Sequence, residues 1–399
     1  MTDDRAIPEN LVRRAPMPAS VSRPVVTPIM PSVVYASECP DELDAQYEGR
    51  VKGFTYAREG HPNAEVLASK IDALEGAEGG LIVGSGMAAV SAVLLGCLKA
   101  GDHVLGGDQL YGRSLRLMGQ DLPRLGISTS LADPTDASAF VRAMRPETRM
   151  VLVELVSNPT LRVADIPGIA AVCREHGVIL VVDSTFSTPR AFRPFEHGAD
   201  IVIHSVTKLL AGHSDVTLGY VAARDPAMRK AIYDFAVTTG MTPSPFDCWL
   251  AERGLMSFHL RYDRAEENAK ALAEHLGGLP GVRRVLYPLR HDHPDHNRAA
   301  ALLGTRGGNM LSFEVEGGRA GANALTRAMA DLPFAPTLGD IGTILSHSAS
   351  SSHRALSPEA RQELGITEGF FRISVGVEDI ELLKRDFSAG VAAAKAAAG

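Results

Sequence analysis

Val178-Ile179-Leu180-Val181-Val182-Asp183 and the later Ile201-Val202-Ile203-His204-Ser205-Val206-Thr207-Lys208 decide how this chain is read. Each begins as a continuous apolar run, short for a helix, in the pattern of a strand buried on both faces. An aspartate closes the first, and a lysine follows the second after Ser205 and Thr207. Runs of the same kind precede them at Gly80-Leu81-Ile82-Val83, His103-Val104-Leu105 and Met150-Val151-Leu152-Val153, with amphipathic stretches between. This alternation from about Gly60 to Asp215 predicts an α/β layer with a mostly parallel sheet.

An amine, a carboxylate and two hydroxyls at the ends of buried strands are the groups pyridoxal phosphate (PLP) needs. Its aldehyde takes an amine as a Schiff base, its ring nitrogen takes a carboxylate, and its phosphate takes donors. Lys208, Asp183, Ser205 and Thr207 supply these, although a lone Thr-Lys pair after a strand also describes a surface lysine. Leu81-Ile82-Val83-Gly84-Ser85-Gly86-Met87-Ala88-Ala89-Val90 reads as strand, glycine turn and helix, which aims backbone N–H groups at an anion. Any tight strand-to-helix connection uses the same turn. No acid follows at the end of a clear second strand, so the phosphate of a compact cofactor fits better than a dinucleotide.

The chain has 399 residues, 45% hydrophobic and 22% charged, enough for a large core and more than one domain. A net charge of -7 argues against nucleic acid or an anionic membrane surface as the main partner. The opening MTDDRAIPENLVRR lacks the apolar core of a signal peptide, and the uncharged stretch from Gly86 to Leu98 is too short to span a bilayer. A cytoplasmic protein is expected. Cys39, Cys97, Cys173 and Cys248 match no paired spacing and are expected as free thiols. His291-Asp292-His293-Pro294-Asp295-His296 crowds metal-ligand types into a Pro-containing loop without a helical i, i+4 frame, so no metal is assigned.

Residues 1–59 are Pro-rich at first and read as an extended arm, of the kind that reaches a neighbouring subunit. Residues 60–257 form the large α/β domain and residues 258–399 a smaller α+β domain. Cys248 to His275 reads as one long helix. Met310 to Val315 and Phe371 to Val375 read as strands, and the Ala-rich stretch from Ala389 as the end of a terminal helix.

Tyr56-Ala57-Arg58, the Ser85-Gly86-Met87-Ala88-Ala89 turn, Leu110-Tyr111-Gly112, Val182-Asp183-Ser184-Thr185-Phe186, Ser205-Val206-Thr207-Lys208, Gly212-His213-Ser214-Asp215, Arg253-Gly254-Leu255 and Arg372-Ile373-Ser374-Val375-Gly376 occur in this order. Together they resemble the Cys/Met-metabolism (trans-sulfuration) family of fold-type I PLP enzymes, over nearly the whole chain. The resemblance implies that Lys208 holds the cofactor and moves protons at Cα, C4′ and Cβ. It implies that Asp183 pairs with the ring nitrogen and that Tyr111 stacks on the ring and assists the leaving group. The phosphate would be held by the N–H groups of Gly86 and Met87, by the hydroxyls of Ser205 and Thr207, and by Tyr56 and Arg58 of a neighbouring subunit in a homotetramer. Arg372 would clamp the substrate carboxylate, with Asn158 at the cofactor edge.

The substrate end departs from the family. This chain has His61-Pro62-Asn63 where relatives commonly read Asn-Pro-Thr, Thr337-Leu338-Gly339 for Ser-Leu-Gly, and His347-Ser348-Ala349-Ser350-Ser351-Ser352-His353 for His-Pro-Ala-x-x-Thr-His. Pro336 stands where cystathionine enzymes often carry a glutamate. Arg116 matches a position for a distal carboxylate, and Arg113 adds a cation where glycine is common, either for substrate or solvated at the rim. The expected activity is γ-elimination, with β-elimination open, from an L-amino acid with a heteroatom leaving group, giving a 2-oxo acid and ammonia. The alternatives are γ-replacement on an O-acylhomoserine and, more remotely, an aminotransferase or a PLP-binding protein without turnover.

Overall fold

The computed structural model describes residues 20–354 and 357–399. Seven strands form the larger sheet among the described residues: β1 (Leu81–Val83), β2 (His103–Gly107), β3 (Ser128–Ala132), β4 (Thr148–Glu154), β5 (Ile179–Asp183), β6 (Ile201–Ser205) and β7 (Gly219–Ala223). Their order is β1-β7-β6-β5-β4-β2-β3. The pairs from β3 through β6 are parallel, and β7 alone runs antiparallel to both neighbours. The mostly parallel α/β sheet expected of the sequence is what forms.

Apolar side chains on both faces explain why the continuous runs become strands. Val151, Val153, Leu180, Val182 and Val202 enter one core and Met150, Leu152, Val181, Ile201 and Ile203 the other, all at most 1% exposed. Helices cover both faces, as parallel strands joined by crossovers require. Two strands carry no such run. β3 is a partly exposed edge, and β7 is a fully buried Gly-Tyr-Val-Ala-Ala of mostly small residues.

The second sheet has four strands, β8 (Val282–Leu286), β9 (Met310–Val315), β10 (Ile344–His347) and β11 (Phe370–Ser374), in the antiparallel order β10-β11-β9-β8. Its core joins Leu311, Phe313, Phe371 and Ile373 to Leu272, Leu276, Phe387 and Val391 of the helices Phe258–Gly277 and Ile380–Ala397.

Two expectations about helices change. Cys248 to His275 is not one helix: Pro245–Met256 ends, and Phe258–Gly277 begins after Ser257, whose ψ is 4°. The Ser257 hydroxyl donates to Gly254 O, and a Cβ on Gly254 would meet Ala211 O at 2.1 Å, so the chain turns where it presses on the loop after Lys208. Within the arm, α1 (Pro40–Tyr47) is helical, started by Pro40 and the first-turn acids Asp41 and Glu42, and α2 (Pro62–Glu75) follows the arm. The first nineteen residues of the arm, and with them the whole opening segment read for a signal peptide, lie outside the described residues.

Candidate active site

The C-terminal ends of the parallel strands lie along one edge of the larger sheet. β5 delivers Asp183, whose Oδ1 accepts the Thr185 N–H at 3.0 Å and the Thr185 hydroxyl at 2.6 Å. That hydroxyl oxygen accepts the Ser205 N–H at 2.9 Å, so one threonine ties the end of β5 to the end of β6. Burial raises the Asp183 carboxyl above its ordinary value, opposed by the two Thr185 donors and by His204.

α3 (Gly86–Cys97) starts beside this edge, capped by the Ser85 hydroxyl, which accepts the Ala88 N–H at 3.0 Å. A Cβ on Gly86 would lie 2.8 Å from Ser205 Cβ and 2.9 Å from its Oγ, so only glycine lets the helix start approach β6. The free N–H groups of this first turn and the Ser205 hydroxyl, which makes no hydrogen bond among the described residues, fit a phosphate. The Thr207 hydroxyl already donates to Leu218 O at 3.1 Å and accepts Leu218 N–H at 3.0 Å. It reaches a phosphate only by redirecting that proton.

Lys208 follows in the turn after β6. Its Nζ donates to Thr337 Oγ1 at 3.2 Å, and burial, then the nearby Arg372 charge, lowers its ammonium below the ordinary value. Gly339 (φ +82°) presses on this lysine, where a Cβ would stand 2.8 Å from Lys208 C and 2.9 Å from its Cα. Behind it, Arg261 gives N–H bonds to the carbonyls of Leu209, Leu210 and Gly254.

Arg372 on β11 is 4% exposed. It donates to Asn158 Oδ1 at 2.8 Å and Thr337 O at 2.6 Å, and its Nε has no partner among the described residues. Burial brings its pKa down to about 10. A buried guanidinium with neutral partners and an unsatisfied edge is built to receive an anion in a bidentate geometry.

Tyr111 caps α4 (Gly112–Arg116), and its N–H donates to Glu154 Oε1 at 2.5 Å. The Met87 sulfur accepts the Ser114 hydroxyl at 3.9 Å, linking α3 to α4. Arg116 is exposed, 3.9 Å from Asp121, and Arg113, also exposed, has no ion-pair partner among the described residues. The structure thus gathers Lys208, Asp183, Ser205, Gly86, Tyr111, Asn158, Thr337 and Arg372 through direct contacts and adjoining strand ends. Tyr56 and Arg58 are placed elsewhere: Arg58 lies over the Tyr56 ring at 5.1 Å and lines a separate cleft of about 360 Å³ with Gly79, Arg229 and Tyr233.

Sequence reasoning missed Glu154 and Arg261. Glu154 had a usable signal, because it ends the β4 apolar run as Asp183 ends that of β5. Arg261 had none, being one of several arginines in a polar helix. The acids of the His291–His296 loop are occupied by arginines: Asp292 by Arg290, and Asp295 by Arg162 and Arg298.

The profile of the Cys/Met metabolism PLP-dependent enzymes matches residues 10–392. The chain belongs to that family. Over 334 residues it is 39% identical to a cystathionine beta-lyase of Bacillus subtilis, covering 84% of this chain and 85% of the relative. Over 357 residues it is 37% identical to an L-methionine gamma-lyase of Pseudomonas putida, covering 89% and 88%. The crystal structure of a cystathionine gamma synthase from Xanthomonas oryzae pv. oryzae in complex with cystathionine superposes with a TM-score of 0.88 at 35% identity, over 94% of each chain. The fold is that of the fold-type I PLP enzymes, and the cofactor is PLP. The protein is therefore a PLP-dependent lyase or synthase of trans-sulfuration chemistry acting on an amino acid. No helix among the described residues is long and apolar enough to cross a membrane.

Proposed function

We propose that this enzyme is a γ-lyase, with β-elimination open to the same residues, that releases a heteroatom leaving group from an L-amino acid and yields a 2-oxo acid and ammonia. The observation that carries this reading is the placement of Lys208. Its buried amine is depressed by its surroundings and next to Thr337 and Arg372, where a base must serve Cα and then Cβ of a substrate anchored by its carboxylate.

PLP, when bound, supplies an electron-withdrawing ring that makes the substrate Cα–H acidic. Arg372 receives the substrate carboxylate, steadied by Asn158 and Thr337 O. Lys208 takes the Cα proton and then a Cβ proton. Asp183 keeps the ring nitrogen protonated, and Tyr111 hands a proton to the departing atom. Of the two protons taken from carbon in γ-elimination, one leaves with X as X–H by way of Tyr111 and the other returns through Lys208 to Cγ. The released enamine shifts an N–H proton to Cβ, and water hydrolyses the resulting imine to the 2-oxo acid and ammonia.

The second reading is γ-replacement on an O-acylhomoserine, favoured by Arg113 and Arg116, two cations three residues apart on α4 and suited to an acidic distal end. A panel on PLP-loaded protein separates the readings, with Lys208→Ala as the blank and cystathionine, methionine, homocysteine and O-acylhomoserines as substrates. Oxo acid released without added thiol supports the lyase. A thioether formed only with added thiol refutes it in favour of replacement.

The location of Arg58 away from Lys208 supports a site shared across a dimer, two of which the family resemblance stacks into a homotetramer. Mixed oligomers of Lys208→Ala and Arg58→Ala chains then regain activity that neither variant shows alone. Failure of mixed, exchanged oligomers to regain any would refute the sharing.

A further inference from the structure

β4 and β5 pair in parallel with Glu154 opposite Asp183, so two carboxyl groups leave the sheet edge side by side. Neighbouring strands lie about 4.8 Å apart, and residues in register point to the same face. Two desolvated carboxyls at such spacing do not both ionise. The donors around them decide which one holds the charge. Asp183 Oδ1 accepts an N–H and a hydroxyl from Thr185, whereas Glu154 receives one N–H, that of Tyr111, on Oε1.

We propose that Glu154 is a positioning residue that works as a neutral acid, fixing the main chain of Tyr111 while the negative charge beside the cofactor ring rests on Asp183 alone. This rests on the PLP site described above. Burial first, and Asp183 second, push the Glu154 carboxyl well above its usual range, against the Tyr111 N–H. The other charged or titratable groups around the pair are His204 on β6, which favours Asp183 ionised, and Arg372 on β11, which faces Tyr111 and Lys208. A second anion here would compete with Asp183 for the ring nitrogen's proton. A neutral acid keeps an acceptor for Tyr111 without that competition.

Substrate-free holoenzyme carrying Glu154→Gln or Glu154→Leu tests this by two readouts besides turnover. Infrared difference spectra against wild type are expected to show a protonated-carboxyl C=O band that both variants lose. Titrating the bound cofactor's visible absorbance with pH is expected to give the same midpoint in Glu154→Gln as in wild type, because neutral acid and amide carry equal charge. Glu154→Leu, lacking the acceptor, is expected to lose at least tenfold in kcat, with Glu154→Gln recovering most of it. A missing band, a displaced Glu154→Gln midpoint, or equal loss in both variants overturns the proposal. Should Glu154→Leu fail to fold, the Glu154→Gln spectra still decide. Failure of the underlying reading looks different, since wild type would then take up no PLP absorbance at all.

Discussion

Replacing Gly339 by alanine tests the join between the two sheets at the reacting lysine. The residue sits at φ +82°, and the added Cβ would lie 2.6 Å from Leu209 N, 2.8 Å from Lys208 C and 2.9 Å from Lys208 Cα. These are backbone atoms held from behind by Arg261, so no side chain can swing aside. The left-handed conformation costs alanine about 1–2 kcal/mol, and overpacking a filled site adds about 1–3 kcal/mol. If the protein stays rigid, it loses roughly 2–5 kcal/mol of stability. If the strand-free segment yields instead, it moves by up to about 1 Å, carrying Thr337 away from Lys208 Nζ and its carbonyl away from Arg372. A displacement of that size at a reacting group costs about 10²-fold in rate. Denaturant unfolding of the apoprotein and steady-state kinetics of the holoenzyme, run together, distinguish the two routes. Wild-type stability combined with wild-type kcat/KM would refute the contact and the argument built on it.

Other perturbations have equally definite signs. Arg372→Lys keeps the charge but loses the planar fork, and truncating a buried charge pair costs about 2–5 kcal/mol, so kcat/KM is expected to fall at least thirtyfold in steady-state assays. Burial holds His293 and His353 down at about 4 from 6.5. The unfolded chain therefore binds more protons across that window, and stability falls as pH drops from 6.5 toward 4, by at most about 3 kcal/mol per ring. Urea unfolding across this range checks it, and His353→Gln is expected to flatten the slope. Arg116→Ala is expected to lower kcat/KM about tenfold or more for substrates with an acidic distal end while sparing methionine, which competition assays between the two substrates report.

The legible parts of this protein were those where chemistry and periodicity coincide. Asp183 closes one apolar run and Lys208 follows another after Ser205 and Thr207; both runs are buried on two faces as strands, which sets the two residues at one sheet edge. β3 and β7 escaped because an exposed edge and a run of small buried residues lack that contrast. The break at Ser257 escaped for another reason. Nothing local forbids helix there, and it is the pressure of Gly254 on Ala211 that sets the turn, a contact between segments far apart in sequence. Tyr56 and Arg58 show the same limit: their motif was visible, but one chain places them away from Lys208.

The same topology explains why the site uses groups from so many segments. In a parallel sheet every carboxyl end lies on one edge, so β4, β5 and β6 necessarily present Glu154, Asp183 and Ser205 to a common space, and α3 starts there as well. That edge supplies anionic and hydroxyl groups for a cofactor, but its described strand ends offer no cation for a substrate carboxylate. The guanidinium comes from β11 of the other sheet and is fastened back to the first through Asn158, after β4, and through Thr337, which also holds Lys208 Nζ. Anchoring a substrate at Arg372 therefore fixes the distance between the two sheets at the point where protons move. For that reason the polar contacts of Thr337 are expected to matter more to turnover than to cofactor retention.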